Sequence, residues 1–114
     1  MMDASPSELI KRELLGWEGV TMHDHNYFSI IFYVKGIEMG HLHDDTSADL
    51  QFPPKISKKL VKDGRVSPHQ LINQKSGWVS HEIQSKKDVE IVIDLFRLQY
   101  NRLVKSRFRI LRRQ

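Results

Sequence analysis

Between Glu38 and Pro53 the chain places two histidines, three aspartates and a glutamate within sixteen residues. His41 and His43 are two apart, so on a strand they project from one face with Cα atoms about 7 Å apart. Asp45 and Asp49 offer carboxylates nearby. His69 and Trp78 lie in later segments that could fold back, the first as a third imidazole and the second as an apolar wall. Imidazoles with a carboxylate suit zinc, iron or another first-row divalent ion, with His41, His43 and His69 as the expected ligands. Without a metal, the same groups suit general acid–base work, because imidazole titrates near neutrality. A plainer role also fits: strand-end histidines hydrogen-bond in packing, and Asp44-Asp45-Thr46-Ser47 is good loop chemistry.

Composition narrows the alternatives. There is no cysteine, which excludes disulfides, thiolate zinc sites and cysteine nucleophiles. No Gly-x-Ser-x-Gly elbow activates Ser76, Ser80 or Thr46. No Gly-rich strand–turn–helix offers a flavin or nicotinamide site, and a divalent transition metal is a cofactor that the histidines would suit. The start, Met1-Met2-Asp3-Ala4-Ser5-Pro6, does not read as a secretory signal, and no apolar run approaches a membrane span. A cytoplasmic location without a membrane partner is therefore expected.

The net charge of +4 is unevenly spread. Arg102, Lys105, Arg107, Arg109, Arg112 and Arg113 lie within 101–114 without an acid, which leaves residues 1–100 at −2. Interleaved with Phe108, Ile110 and Leu111, these cations suit nucleic acid or another anionic surface, gripped at phosphate with little sequence specificity. Leu103, Val104, Phe108 and Leu111 also continue helical spacing. That favours a helix extension whose apolar side covers the domain or a second copy.

Positioning such groups takes a scaffold, and 114 residues suffice for one domain, with a body of about 5–104 and a basic extension at 101–114. Ser5 as N-cap, Pro6 at N1 and Glu8 at N3 open a first helix, with Leu9, Ile10 and Leu14 on its apolar face and Gly16 as its stop. Val20 to His25 alternates as a half-buried or edge strand, with His23 and His25 on a solvated face. Tyr27 to Val34 is the strongest strand, with Phe28, Ile30, Phe32 and Val34 on one side. Lys35-Gly36 turns into an antiparallel partner, Ile37 to His43, where Ile37, Met39, His41 and His43 share a face.

Ala48, Leu50 and Phe52 point inward from the next strand, which Pro53-Pro54 terminates. Ile56, Leu60 and Val61 mark a short helix ended by Asp63-Gly64. Val66, Leu71 and Ile72 suggest a short strand broken by Pro68, and Gly77 to Ile83 another, with His81 facing either side. Trp17 and Trp78 read as core or rim packing. Ser85 with Asp88 at N3 opens the longest helix, striped by Val89, Val92, Ile93, Phe96, Tyr100, Leu103 and Val104. The expected fold class is α+β: an open antiparallel sheet of four to five strands, helices packed on one face, and a long C-terminal helix.

Several of these pieces occur together elsewhere. Gly40-His41-Leu42-His43, Ala48-Asp49-Leu50-Gln51-Phe52-Pro53, Ser67-Pro68-His69, Ser76-Gly77-Trp78-Val79-Ser80 and Asp88-Val89-Glu90 with its helix to Tyr100 resemble the luciferase-domain family. Gly19-Val20-Thr21 and His25 fit upstream, so the resemblance runs over about residues 10–101. It carries over motif positions and implies no set of catalytic residues. Light emission is not expected, and the Arg-rich tail looks like an addition beyond the family's usual end. Three classes of function follow. The first is a small-molecule or metal-binding domain using His41, His43, Asp45, Asp49, His69 and Trp78, with catalysis left open. The second is a non-catalytic interaction module, such as a homodimer, and the third a nucleic-acid binder acting through the tail.

Overall fold

The computed structural model describes residues 4–26, 29–73 and 75–113, residue 73 and residues 106–113 by backbone alone. Helix α1 (Pro6–Leu15) begins where its orphan N–H groups find acceptors. Ser5 Oγ accepts from the Glu8 N–H at 3.3 Å, as the sequence predicts, and Asp45 Oδ1 accepts from the Ser7 N–H at 2.8 Å. The strands are β1 (Val20–Asn26), β2 (Ser29–Val34), β3 (Ile37–His43), β4 (Ser47–Gln51), β5 (Leu71–Asn73) and β6 (Trp78–Glu82). Helix α2 (Pro54–Lys62) follows β4, with Pro54 opening it as well as ending the strand region, and α3 (Lys86–Arg113) closes the chain.

All neighbouring strands pair antiparallel in the order β1-β2-β3-β4-β6-β5. The sheet thus has six strands where four to five were expected. Short β5, at the edge beyond β6, takes Leu71 and Ile72 of the suggested short strand, while Val66 lies outside it in the core. Lys35 and Gly36, with φ of 51° and 82°, form the two-residue hairpin turn whose twist matches the strands it joins.

One core cluster joins the helices to a single side of the sheet. It takes Ile10 and Leu14 from α1, Leu60 from α2, and Val89, Val92, Leu95, Phe96 and Leu103 from α3. They pack on Ile30, Phe32, Val34, Met39, Leu42, Ala48, Leu50 and Val79 from the strands. The α3 stripe is centred on Val92, Leu95, Phe96 and Gln99, while the predicted Ile93, Tyr100 and Val104 flank it partly buried. Backbone helix continues to Arg113, in line with the helix extension. The side chains of Arg107, Phe108, Arg109, Ile110, Leu111, Arg112 and Arg113, and the whole of Tyr27 and Phe28, lie outside the described residues. Among the described residues no helix is long and apolar enough to cross a membrane.

One expectation about β3 is corrected. Phe32 pairs with Gly40 while the next residue, Tyr33, pairs with Glu38, so Met39 is an extra residue in a β-bulge. Met39 and Gly40 are consecutive and both buried on the core side. Beyond the bulge the alternation is reversed. Ile37 and Met39 pack toward the core, whereas His41 and His43 emerge on the opposite face instead of sharing theirs.

The bulge sits where α3 presses closest. A Cβ on Gly40 would lie 2.9 Å from the Asp49 carbonyl oxygen, 2.9 Å from Leu50 Cγ and 3.0 Å from Phe96 Cε1. Buried Gln99 donates from Nε2 to the carbonyls of Met39 (3.1 Å) and Gln51 (2.8 Å), tying β3 and β4 to the helix. Gly40→Ala should cost about 1–3 kcal/mol through overpacking. Gln99→Leu should cost about 1–3 kcal/mol by leaving buried carbonyls without a donor. Urea denaturation of each variant against the parent checks both.

Candidate functional site

Strand pairing lays one row of side chains across the uncovered face: His23, Ile31, His41, Asp49 and Ser80, contributed by β1, β2, β3, β4 and β6. Direct cross-strand neighbours share a face, and residues two apart extend the same surface. His43 and Trp78 join it by that rule, Trp78 through its pairing with Gln51. His25 also belongs here, its ring centroid 5.6 Å from that of His41.

Each of the two predicted histidines holds a carboxylate. His43 Nε2 lies 2.7 Å from Asp49 Oδ2, and His41 Nε2 lies 2.8 Å from Glu38 Oε1. Glu38 reaches His41 because the bulge brings these residues, three apart in sequence, to the same side. The rings of His41 and His43 are 6.1 Å apart, and His41 meets Trp78 edge-on at 5.8 Å. Trp78 is therefore a half-buried wall on the open face, whereas Trp17 packs at the core rim against Tyr100. Asp49 Oδ1 is buried and has no hydrogen-bond partner among the described residues. An imidazole bonded to a carboxylate through one nitrogen keeps the other for a second partner, the arrangement that lets such a pair bind or move a proton.

The other predicted site residues are placed elsewhere. Asp45 is taken up in capping α1, and the Ser7 backbone N–H holds its carboxyl below the usual aspartate range against the opposing effect of burial. His69 is exposed and lines a separate cleft of about 280 Å³ with Gln70, His81 and Asp88. Among the described residues no three or more histidines, aspartates or glutamates gather so as to hold a metal ion, so His41, His43 and His69 do not form one ligand set.

The cleft beside His69 contains a cluster that sequence patterns did not reveal. His81 is buried on the core side of β6. Gln70 Oε1 accepts from the Ser67 N–H at 2.6 Å, so its Nε2 is the group that donates to His81 Nδ1. His81 Nε2 is thereby assigned as the donor to Asp88 Oδ1, at 2.9 Å. With both ring nitrogens committed, His81 ties the loop before β5 to the start of α3. Asp88, at N3 of that helix, also accepts from the Gln84 N–H at 2.9 Å. That backbone bond, followed by the bond from His81, holds its carboxyl below the usual value. Asp88 at N3 was legible from Ser85; Gln70 and His81 carried no comparable local mark.

These carboxyls set a pH dependence. Both have native values below the ordinary 3.8, so the unfolded chain binds protons more readily. The stability they contribute is complete above that ordinary value and is lost as pH falls through the lowered native values. Asp88→Asn should be less stable than the parent at pH 7, and the gap should close on acidification below 3.8, as followed by thermal melts across pH.

The family model described as Luciferase domain matches residues 36–99, from the β2–β3 turn to the α3 residue that clasps β3 and β4. No curated protein and no solved structure matches the chain.

Proposed function

This chain belongs to the Luciferase domain family, and we propose that it acts through the open sheet face, as a domain that binds a small ring-bearing molecule. The observation that carries this reading is Asp49: one carboxylate oxygen is engaged by His43, and the other is buried without a donor among the described residues. An unmet buried acceptor costs about 1–3 kcal/mol, which a ligand N–H or O–H would recover by displacing the side chains that cover that oxygen. The rings around it give the rest of the specificity. His41 stands edge-on to Trp78 with His43 and His25 beside it, an arrangement that favours a flat partner over a flexible chain. The preferred ligand is therefore planar and carries an N–H or O–H donor at its edge, as phenols and azoles do.

The test uses Trp78 as reporter in a Trp17→Phe background, where it is the remaining tryptophan. Titration with a panel of phenols, hydroxybenzoates and azoles should give saturable changes in emission. Asp49→Ala and His43→Ala should each weaken binding by about tenfold or more, as expected for a lost charge-assisted hydrogen bond. Binding that is indifferent to Asp49, or absent across the panel in protein shown to be folded by circular dichroism, would remove this reading.

A further inference from the structure

Among the described residues the buried polar side chains are Ser7, Ser29, Ser57, His81 and Gln99, and of these only His81 titrates. Its ring is held in one tautomer by a hydrogen-bond chain that starts at a backbone N–H and ends at Asp88. The Ser67 N–H can only donate, so it fixes Gln70 Oε1 as acceptor, Gln70 Nε2 as donor and His81 Nδ1 as acceptor. The cleft of about 280 Å³ lined by His81 and Gln70 brings solvent to these groups.

That chain is complete only while the ring is neutral. A proton added at Nδ1 makes it a donor, and it then meets another donor, Gln70 Nε2. Turning the Gln70 amide over brings Oε1 to His81 but sets Nε2 against the Ser67 N–H. One of the two bonds is lost in either orientation. Asp88 favours the added charge, because it accepts from His81 Nε2 in both states. The Gln84 N–H, and then His81, hold its carboxyl below the usual value, so it stays ionised. The other titratable groups of the cleft are His69 and Glu82, both exposed, and Glu82 accepts from Gln84 Nε2 at 3.2 Å. From the neighbouring elements, β4 sets Ala48 beside His81, β5 brings Leu71, Ile72 and Asn73, and the lysines of α2 and of the start of α3 are exposed.

The segment secured through Gln70 is short. The turn Pro68–Gln70 leads into β5, which pairs with β6 alone, at Leu71–Val79 and Asn73–Trp78 with an irregular register between them. Ile72 is 63% exposed, so Leu71, partly buried against the core, is the apolar anchor of this edge. An element with so little burial opens at low cost. We propose that His81 is a proton-operated latch on the β5 edge of the sheet. Neutral, it clasps the Ser67–Gln70 turn; charged, it releases that turn, and β5 loosens from β6. The latch is independent of the ligand reading of the open face.

The test is an NMR titration of the full nitrogen-15-labelled chain from about pH 8 to about pH 5, the span over which histidine side chains take up a proton. The Ser67 amide should move with the same midpoint as the His81 ring. Hydrogen-exchange protection of the β5 amides, corrected for intrinsic rates and set against amides of β2 and β3, should fall by about tenfold or more as the ring charges. Gln70→Glu replaces the amide with a carboxylate that accepts from Ser67 and His81 together. It should raise the proton affinity of His81 by about tenfold or more and keep β5 protected at the acid end. The latch is overturned if Ser67 and β5 do not follow the His81 ring, or if that ring stays neutral until β2 and β3 also lose protection. Loosening of β5 in Gln70→Glu to the same extent as in the parent would overturn it too. The wild-type titration decides the first two outcomes even where the variant fails to fold.

Discussion

The fold depends on how deeply α3 is seated against β3 and β4. Gly40 has no Cβ because that volume is already filled by the Asp49 carbonyl, the Leu50 side chain and the Phe96 ring. Contact this close leaves no room for water, so the polar backbone beneath the helix needs a partner from the helix itself. Gln99 supplies it with two bonds from one amide nitrogen, and its own oxygen is met by Arg102 Nε at 3.0 Å. Apolar burial and polar satisfaction therefore occur within one turn of helix, between Phe96 and Gln99. Neither would be stable alone: the apolar contact strands carbonyls, and a buried amide without them would be an unmet donor.

The bulge at Met39 is the strand's side of that accommodation, and its effect reaches the other face of the sheet. Two consecutive residues, Met39 and Gly40, turn to the core, so the alternation restarts one position later. His41 and His43 come out on the uncovered face, where Glu38 and Asp49 meet them and Trp78 stands beside them. The packing of α3 on one side thus fixes which groups are offered to solvent on the other. A helix–sheet contact and a polar surface are coupled through a single extra residue in one strand.

The acidic residues that cluster in the sequence divide into separate duties in the fold. Asp45 and Asp88 each accept a backbone N–H near the start of a helix, where the exposed donors and the helix dipole favour negative charge. Their lowered carboxyl values follow from those bonds. Asp49 is placed mid-sheet, and one of its oxygens is buried without a donor among the described residues. This difference in satisfaction, more than residue type, separates a structural aspartate from a candidate binding group.

What the sequence determined by itself is what local physics controls. The cap at Ser5, the Lys35-Gly36 turn, the acid at Asp88, the Val89, Val92, Phe96 and Leu103 positions of the α3 stripe, and the common face of His41 and His43 all rest on neighbours within a few residues. Backbone geometry and side-chain periodicity decide such features before any long-range contact forms. Gly40 inside a strand was a visible hint of close approach, but it could not say from which direction. Tertiary structure alone decided that the two histidines face away from the core, that Asp45 belongs to α1, and that His69 joins Gln70, His81 and Asp88 across a different cleft. Each outcome depends on where α1 and α3 dock, and docking is set by volume and by unsatisfied backbone groups far apart in the chain, which no local spacing records.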